Sequence, residues 1–137
     1  MTEALPKSKT PESEKITINL GYVDLGQVDL LVAEGFYSNR TDFIRTAIRN
    51  QLERHGDAVK QSITRYELDL GLRHFSRPDL EAVQARGETL SIQVLGLAAI
   101  AVDVTPELAR ATISSLHILG ALQAPPDVKA ALRDRIK

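Results

Sequence analysis

The sequence predicts an α+β fold in two parts: one strand with two helices at the N-terminal end, then a small module of about three strand-helix units. Three observations predict it. Residues 15–20 alternate polar and apolar, two capped apolar helices fit between positions 24 and 56, and a Leu-Gly pair recurs in the C-terminal part. The expected divisions are a disordered arm over residues 1–13, a first domain over 14–56 and a second over 57–137.

The arm contains Pro6, Pro11 and several polar residues but almost nothing apolar, so it has no surface to bury. From Lys15 the pattern changes. Ile16, Ile18 and Leu20 take every second place, with Lys15, Thr17 and Asn19 between them, which is the signature of a strand with one apolar and one polar face. A helix is then expected to start with Asp24 as its cap and Gln27 three residues on, burying Leu25, Val28, Leu31 and Val32 before Gly35 ends it. A second helix is expected behind Asn39, Arg40, Thr41 and Asp42, a variant of the capping box, with Phe43, Ile44, Ala47, Ile48 and Leu52 as its apolar stripe up to Gly56. The strand has no second strand to pair with inside this unit. About 40 residues is also near the lower limit for an independent core, so the economical solution is an intertwined twofold dimer with Ile16, Ile18, Leu20, Phe43, Ile44 and Ile48 in its shared core.

Beyond Asp57 the reading rests on recurrence. Leu70-Gly71, Leu95-Gly96 and Leu119-Gly120 lie 25 and then 24 residues apart, and each pair is followed by a proline-acid-aliphatic helix start at Pro78, Pro106 and Pro126. The first strand is expected over residues 66–75. Stacked, the units would form parallel strands with short helices alongside, each covering its neighbour's open face. The apolar run from Val94 to Val102 exceeds what one short strand needs, so residues 90–137 are expected to join dimers into a tetramer or larger species, or to receive a protein partner.

Composition narrows the function. The chain has 137 residues, 43% of them apolar, and no cysteine, which removes disulfides, thiolate metal sites and cysteine nucleophiles. Its apolar runs are too short for a membrane span and its N-terminus lacks the order of a signal peptide, so a cytoplasmic location without membrane partners is expected. The net charge of −1 is not the balance of a generally basic nucleic-acid binder. Up to Gly56 there are seven Lys and Arg against eight Asp and Glu, and beyond it ten of each. Any affinity for a polyanion must therefore come from the placement of charge.

The string KITINL over residues 15–20 and the string GFYSNRTDFIRTAIR over 35–49 resemble the ribbon-helix-helix regulators typified by CopG, Arc and MetJ. The resemblance covers about a third of the chain, and the turn with its second helix is the specific part. It implies that two copies pair their strands into an antiparallel ribbon that enters the major groove of double-stranded DNA, where Lys15, Thr17 and Asn19 read base edges. Asn39, Arg40 and Thr41 would surround a phosphate at the N-terminus of the second helix, where free N–H groups and the macrodipole favour an anion. Arg45 and Arg49 lie on that helix's polar side, Arg49 as a solvated residue or an ion-pair partner of Glu53.

Nickel-responsive relatives of this family raise a metal-sensing reading, but His55, His74 and His117 are widely spaced, without a His-x-His or a close carboxylate cluster. No metal and no cofactor is expected. Nothing in the chain has the pattern of a nucleotide-binding glycine loop, a nucleophilic triad or a paired carboxylate site, so it is not expected to be an enzyme. The leading expectation is a dimeric transcriptional repressor acting on an inverted repeat. Two alternatives stand beside it: an antitoxin whose C-terminal part binds a toxin, and an oligomeric scaffold that does not bind DNA, the latter motivated by the neutral charge.

Overall fold

A computed structural model describes residues 13–137 of the chain; the expected arm falls almost wholly outside the described residues. Contacts divide it into two compact units, Ser13–Gln61 and, among the described residues, 62–137.

In the N-terminal unit residues 14–20 form neither helix nor paired strand within the single chain. Helix α1 spans Tyr22–Ala33 and α2 spans Arg40–Arg54. The cap of α1 corrects the sequence reading. Gly21 holds the capping position with extended backbone and no side-chain cap, and Asp24 lies inside the first turn. A negative charge in that turn is favoured by the positive end of the helix, so it supports the start without being the cap. The C-terminus of α1 follows expectation. Gly35 adopts φ +86, its N–H donates to Val32 O at 3.1 Å, and Phe36 N–H donates to Leu31 O at 3.0 Å. That pair of bonds is the Schellman arrangement, which requires the left-handed conformation that glycine adopts without strain.

Gly56 does not end the helical region as the sequence suggested. It is the first residue of α3, Gly56–Tyr66, which follows α2 after His55 alone. Glycine tolerates a helical backbone at a modest cost, and Val59 N–H donates back to His55 O, so the chain resumes its helical turn at once. The strand expected from Tyr66 begins only at Asp69. Tyr66 closes α3, and Glu67 makes the exit with φ +54.

The C-terminal unit runs β1 Asp69–Phe75, α4 Arg77–Ala85, β2 Leu90–Ile100, α5 Pro106–Thr112, β3 Ile113–Gln123 and α6 Pro126–Ala131. The three strands form one parallel sheet in the order β1-β2-β3. Each helix opens with a proline in its first turn, where the missing N–H costs nothing. Ser76 and Asp79 cap α4 reciprocally, and the backbone N–H of Ser76 holds the Asp79 carboxyl below its ordinary range. Thr105 caps α5 by accepting from Leu108 N–H at 3.1 Å. A short 3₁₀ turn over Arg133–Arg135 follows α6, and Arg135 donates to the carbonyls of Arg110 and Ile113, fastening the C-terminus to the end of α5 and the start of β3.

The core sits between the sheet and its helices. Leu80, Val94, Ile113, Leu116, Val128 and Leu132 are fully buried, joined by Phe75, Ile92, Ala98, Ile100, Val104, Leu108 and Ala109. The Val94–Val102 run is used in part within its own unit: Val94 and residues 98–100 are buried, Leu95 and Leu97 are half-buried, and Gly96 and Val102 are exposed.

Gly71, Gly96 and Gly120 stand opposite one another across the three strands. All three have left-handed φ values, +123, +141 and +123. A Cβ on Gly96 would lie 2.2 Å from Gly71 O, and one on Gly120 would lie 2.0 Å from Gly96 O. No side chain fits at either place, which is the physical reason the pair recurs at strand spacing.

Candidate nucleic-acid interface

Residues 15–20 hold the residues expected to read bases and half of those expected to form a dimer core. Lys15, Thr17 and Asn19 are exposed, and so are the alternating Ile16, Ile18 and Leu20 at 79%, 62% and 42%. An alternating segment open on both faces has buried neither its backbone groups nor its apolar side within the chain.

The same holds for the helices behind it. Val28 is the single fully buried residue of α1, while α2 has none. Phe43 and Ile44 are half-buried, Phe43 edge-on to Tyr37 with ring centroids 5.0 Å apart, but Ile48 and Leu52 are 54% and 60% exposed. The outer part of the apolar stripe on α2, Ile48 and Leu52, therefore faces outward, as do the apolar residues of the unpaired segment.

At the N-terminus of α2, Asn39 Oδ1 accepts from Asp42 N–H at 2.8 Å, as the sequence predicted for a cap. Asp42 Oδ2 accepts in turn from Ser38 N–H at 2.9 Å, one residue before the usual reciprocal bond of a capping box. These two side chains close the turn between the helices. Thr41 remains exposed beside them.

Arg40 has a contact that the sequence reading did not anticipate. Its Nε and Nη2 donate to Asp29 Oδ1 and Oδ2 at 2.8 and 2.9 Å, a two-pronged pair joining α2 to α1. The hydrogen bonds from Arg40 pull the Asp29 carboxyl below its ordinary value, and the guanidinium is raised in return. Both side chains are about half-exposed, so solvent screens the pair and it contributes orientation more than stability. Arg40 uses two of its five N–H groups on Asp29, and Nη1 makes no bond to it. The pairing spans eleven positions across a turn, a separation that no helical or strand period signals. Arg45 and Arg49 form no ion pair among the described residues, which leaves Arg49 as a solvated side chain and not a partner of Glu53.

The three histidines share no contact with one another among the described residues. His55 approaches Gln51 at 3.4 Å, and His117 meets the Tyr66 ring edge-on. Among the described residues no group of three His, Asp or Glu is placed to hold a metal ion. Nor is any helix among them long and apolar enough to cross a membrane.

Comparison with known families places these features. The model of the ribbon-helix-helix transcriptional regulator family matches residues 11–129, so the chain belongs to that family. The match extends well past the two N-terminal helices and takes in all three strands of the C-terminal sheet, which the N-terminal resemblance alone did not reach. No curated protein and no solved structure matches the chain.

Proposed function

We propose that the protein is a DNA-binding transcriptional repressor that works in the cytoplasm as a homodimer and is not an enzyme. Two copies of residues 14–20 pair antiparallel, Ile16, Ile18 and Leu20 pack on Phe43, Ile44 and Ile48 of both chains, and the ribbon's other face enters the major groove. There Lys15 donates to guanine, Asn19 makes a paired contact with adenine, and Thr17 offers a hydroxyl and a methyl. Asn39, Arg40 and Thr41 contact a phosphate at the end of α2, with Arg40 oriented by Asp29 and presenting its remaining donors.

One observation carries this reading: in a member of a regulator family, the alternating segment and the α2 stripe are left open in the single chain. Apolar surface on both is accounted for at once by a twofold partner, and pairing then turns the polar side chains outward together. Selection from random duplex DNA followed by gel-shift titration tests it. An inverted repeat should emerge, bound with an affinity that falls steeply as salt rises because phosphate contacts release counterions. Binding that neither discriminates sequence nor depends on salt would sink the proposal and favour a scaffold without DNA, the reading that the net charge of −1 supports.

A further inference from the structure

Leu70, Gly71 and Leu72 of β1, Leu95, Gly96 and Leu97 of β2, and Leu119, Gly120 and Ala121 of β3 lie side by side in register. They are open to solvent. Leu70, Leu72 and Leu119 are 72%, 54% and 47% exposed, the three glycines are exposed, and Leu95, Leu97 and Ala121 are half-buried. The result is a ridge of leucines, a trough of bare backbone and a second ridge. A parallel sheet is ordinarily covered on both faces, and here the helices leave this surface uncovered.

Charge and size restrict the occupant. β2 and β3 contain no Lys, Arg, Asp or Glu, and the two charged residues of β1, Asp69 and Arg73, pair with each other. An acidic peptide or a nucleic acid finds nothing to bind. Strands of seven, eleven and eleven residues spaced about 4.8 Å apart give the whole sheet face a footprint of about 450 Å². A free protein partner needs about 800 Å² from each side. The surface is therefore too small for an independent partner and suited to one already tethered nearby, where an effective concentration in the millimolar range compensates for area. The second chain of the proposed dimer is such a partner, because only residues 55–68, most of them in α3, separate α2 from the first strand of the sheet.

We infer that the Leu-Gly-Leu surface of one C-terminal unit packs against the same surface of the other chain within a dimer, leucine ridges seated in glycine troughs. This rests on the dimer proposed above, and it assigns residues 69–123 to closing the dimer and not to joining dimers. The regulatory consequence is that the spacing of the two DNA-reading halves is coupled to this second contact.

The chain has no cysteine, so a single thiol reports the contact cleanly. Full-length Leu95→Cys treated with a bis-maleimide spanning about 10 Å, the usual spacing of packed sheets, should form covalent dimers. The yield should exceed that of Val102→Cys, a control site 88% exposed in the turn after β2, by about ten-fold and should not change on dilution. Adding Leu119→Glu or Leu70→Glu, both at solvent-exposed positions, should bring the yield down to the control level with the circular dichroism spectrum unchanged. Light scattering on the same samples separates the two proposals. Dimer mass with cross-linking no better than the control overturns the facing contact and leaves the dimer standing, whereas monomer mass overturns both. A yield that rises with protein concentration overturns the arrangement within one dimer.

Discussion

Among the described residues, the N-terminal unit keeps Val28 alone from solvent, whereas the C-terminal unit seals Leu80, Val94, Ile113, Leu116, Val128 and Leu132 completely. The apolar content of the two stretches does not explain the difference. In the C-terminal unit strands, caps and helix-starting prolines bring apolar residues from six successive elements onto one another. In the N-terminal unit two helices meet over a small contact, and Ile16, Ile18, Ile48 and Leu52 have nothing in the chain to meet. One region carries a core within a single chain. The other carries half of one, and a half-core is a specification for a second copy.

The largest expected effect tests that contrast directly. Leu116→Ala, at a fully buried position, should cost about 2 to 5 kcal/mol and lower the C-terminal unfolding transition by the same amount at any protein concentration. Ile18→Ala removes a side chain that is 62% exposed in the single chain, yet it should destabilise the N-terminal transition in a manner that grows on dilution. Calorimetry at two concentrations decides the matter. If Ile18→Ala is silent at both, the half-core description fails.

A smaller effect is expected at the polar face of the same segment. Lys15→Ala or Asn19→Ala should weaken operator binding by about 1 to 3 kcal/mol at particular base positions while leaving the dimer's stability unchanged. Equal losses on every duplex sequence would assign those residues to phosphate contacts instead.

Asn39→Ala removes the acceptor of Asp42 N–H and should destabilise the N-terminal unit by about 1 kcal/mol, measured by denaturant titration. A loss of DNA affinity beyond that stability change would show that the cap also serves the phosphate.

The smallest effect concerns pH. The folded Asp29 carboxyl lies below its ordinary value of 3.8 because Arg40 bonds to it, so the pair's contribution is fully present above that value. It is lost as pH falls through 3.8 and below. Comparison of the wild type with Asp29→Asn by acid titration should show the two stabilities converging in that window, with no divergence near neutrality attributable to titration of this group.

Different parts of the molecule were legible to different degrees, and the reasons are local. The Asn39 cap, the Gly35 terminator and the prolines opening α4, α5 and α6 were readable because each satisfies or removes a backbone group within three or four residues of itself. The Asp24 cap was misplaced because an acidic residue near a helix start serves equally as a cap or as a first-turn charge, and the sequence does not distinguish them. Helix α3 was missed because Gly56 reads as a stop, although Val59, Ile63 and Tyr66 behind it recur at helical spacing.

What the sequence by itself determined is the alternation of residues 15–20, the turn and cap before α2, and the spacing of the Leu-Gly pairs, all set by chemistry between near neighbours. What only the tertiary structure decided is everything that depends on chain segments meeting. The Asp29–Arg40 pair crosses eleven positions, and the burial of residues 98–100 depends on the helices that cover them. The alignment of Gly71, Gly96 and Gly120 depends on strand register, where Gly96 and Gly120 leave room for the carbonyl of the strand beside each. A recurring glycine is visible in one dimension, but the carbonyl that forbids any other residue there is supplied by a strand 24 or 25 residues away.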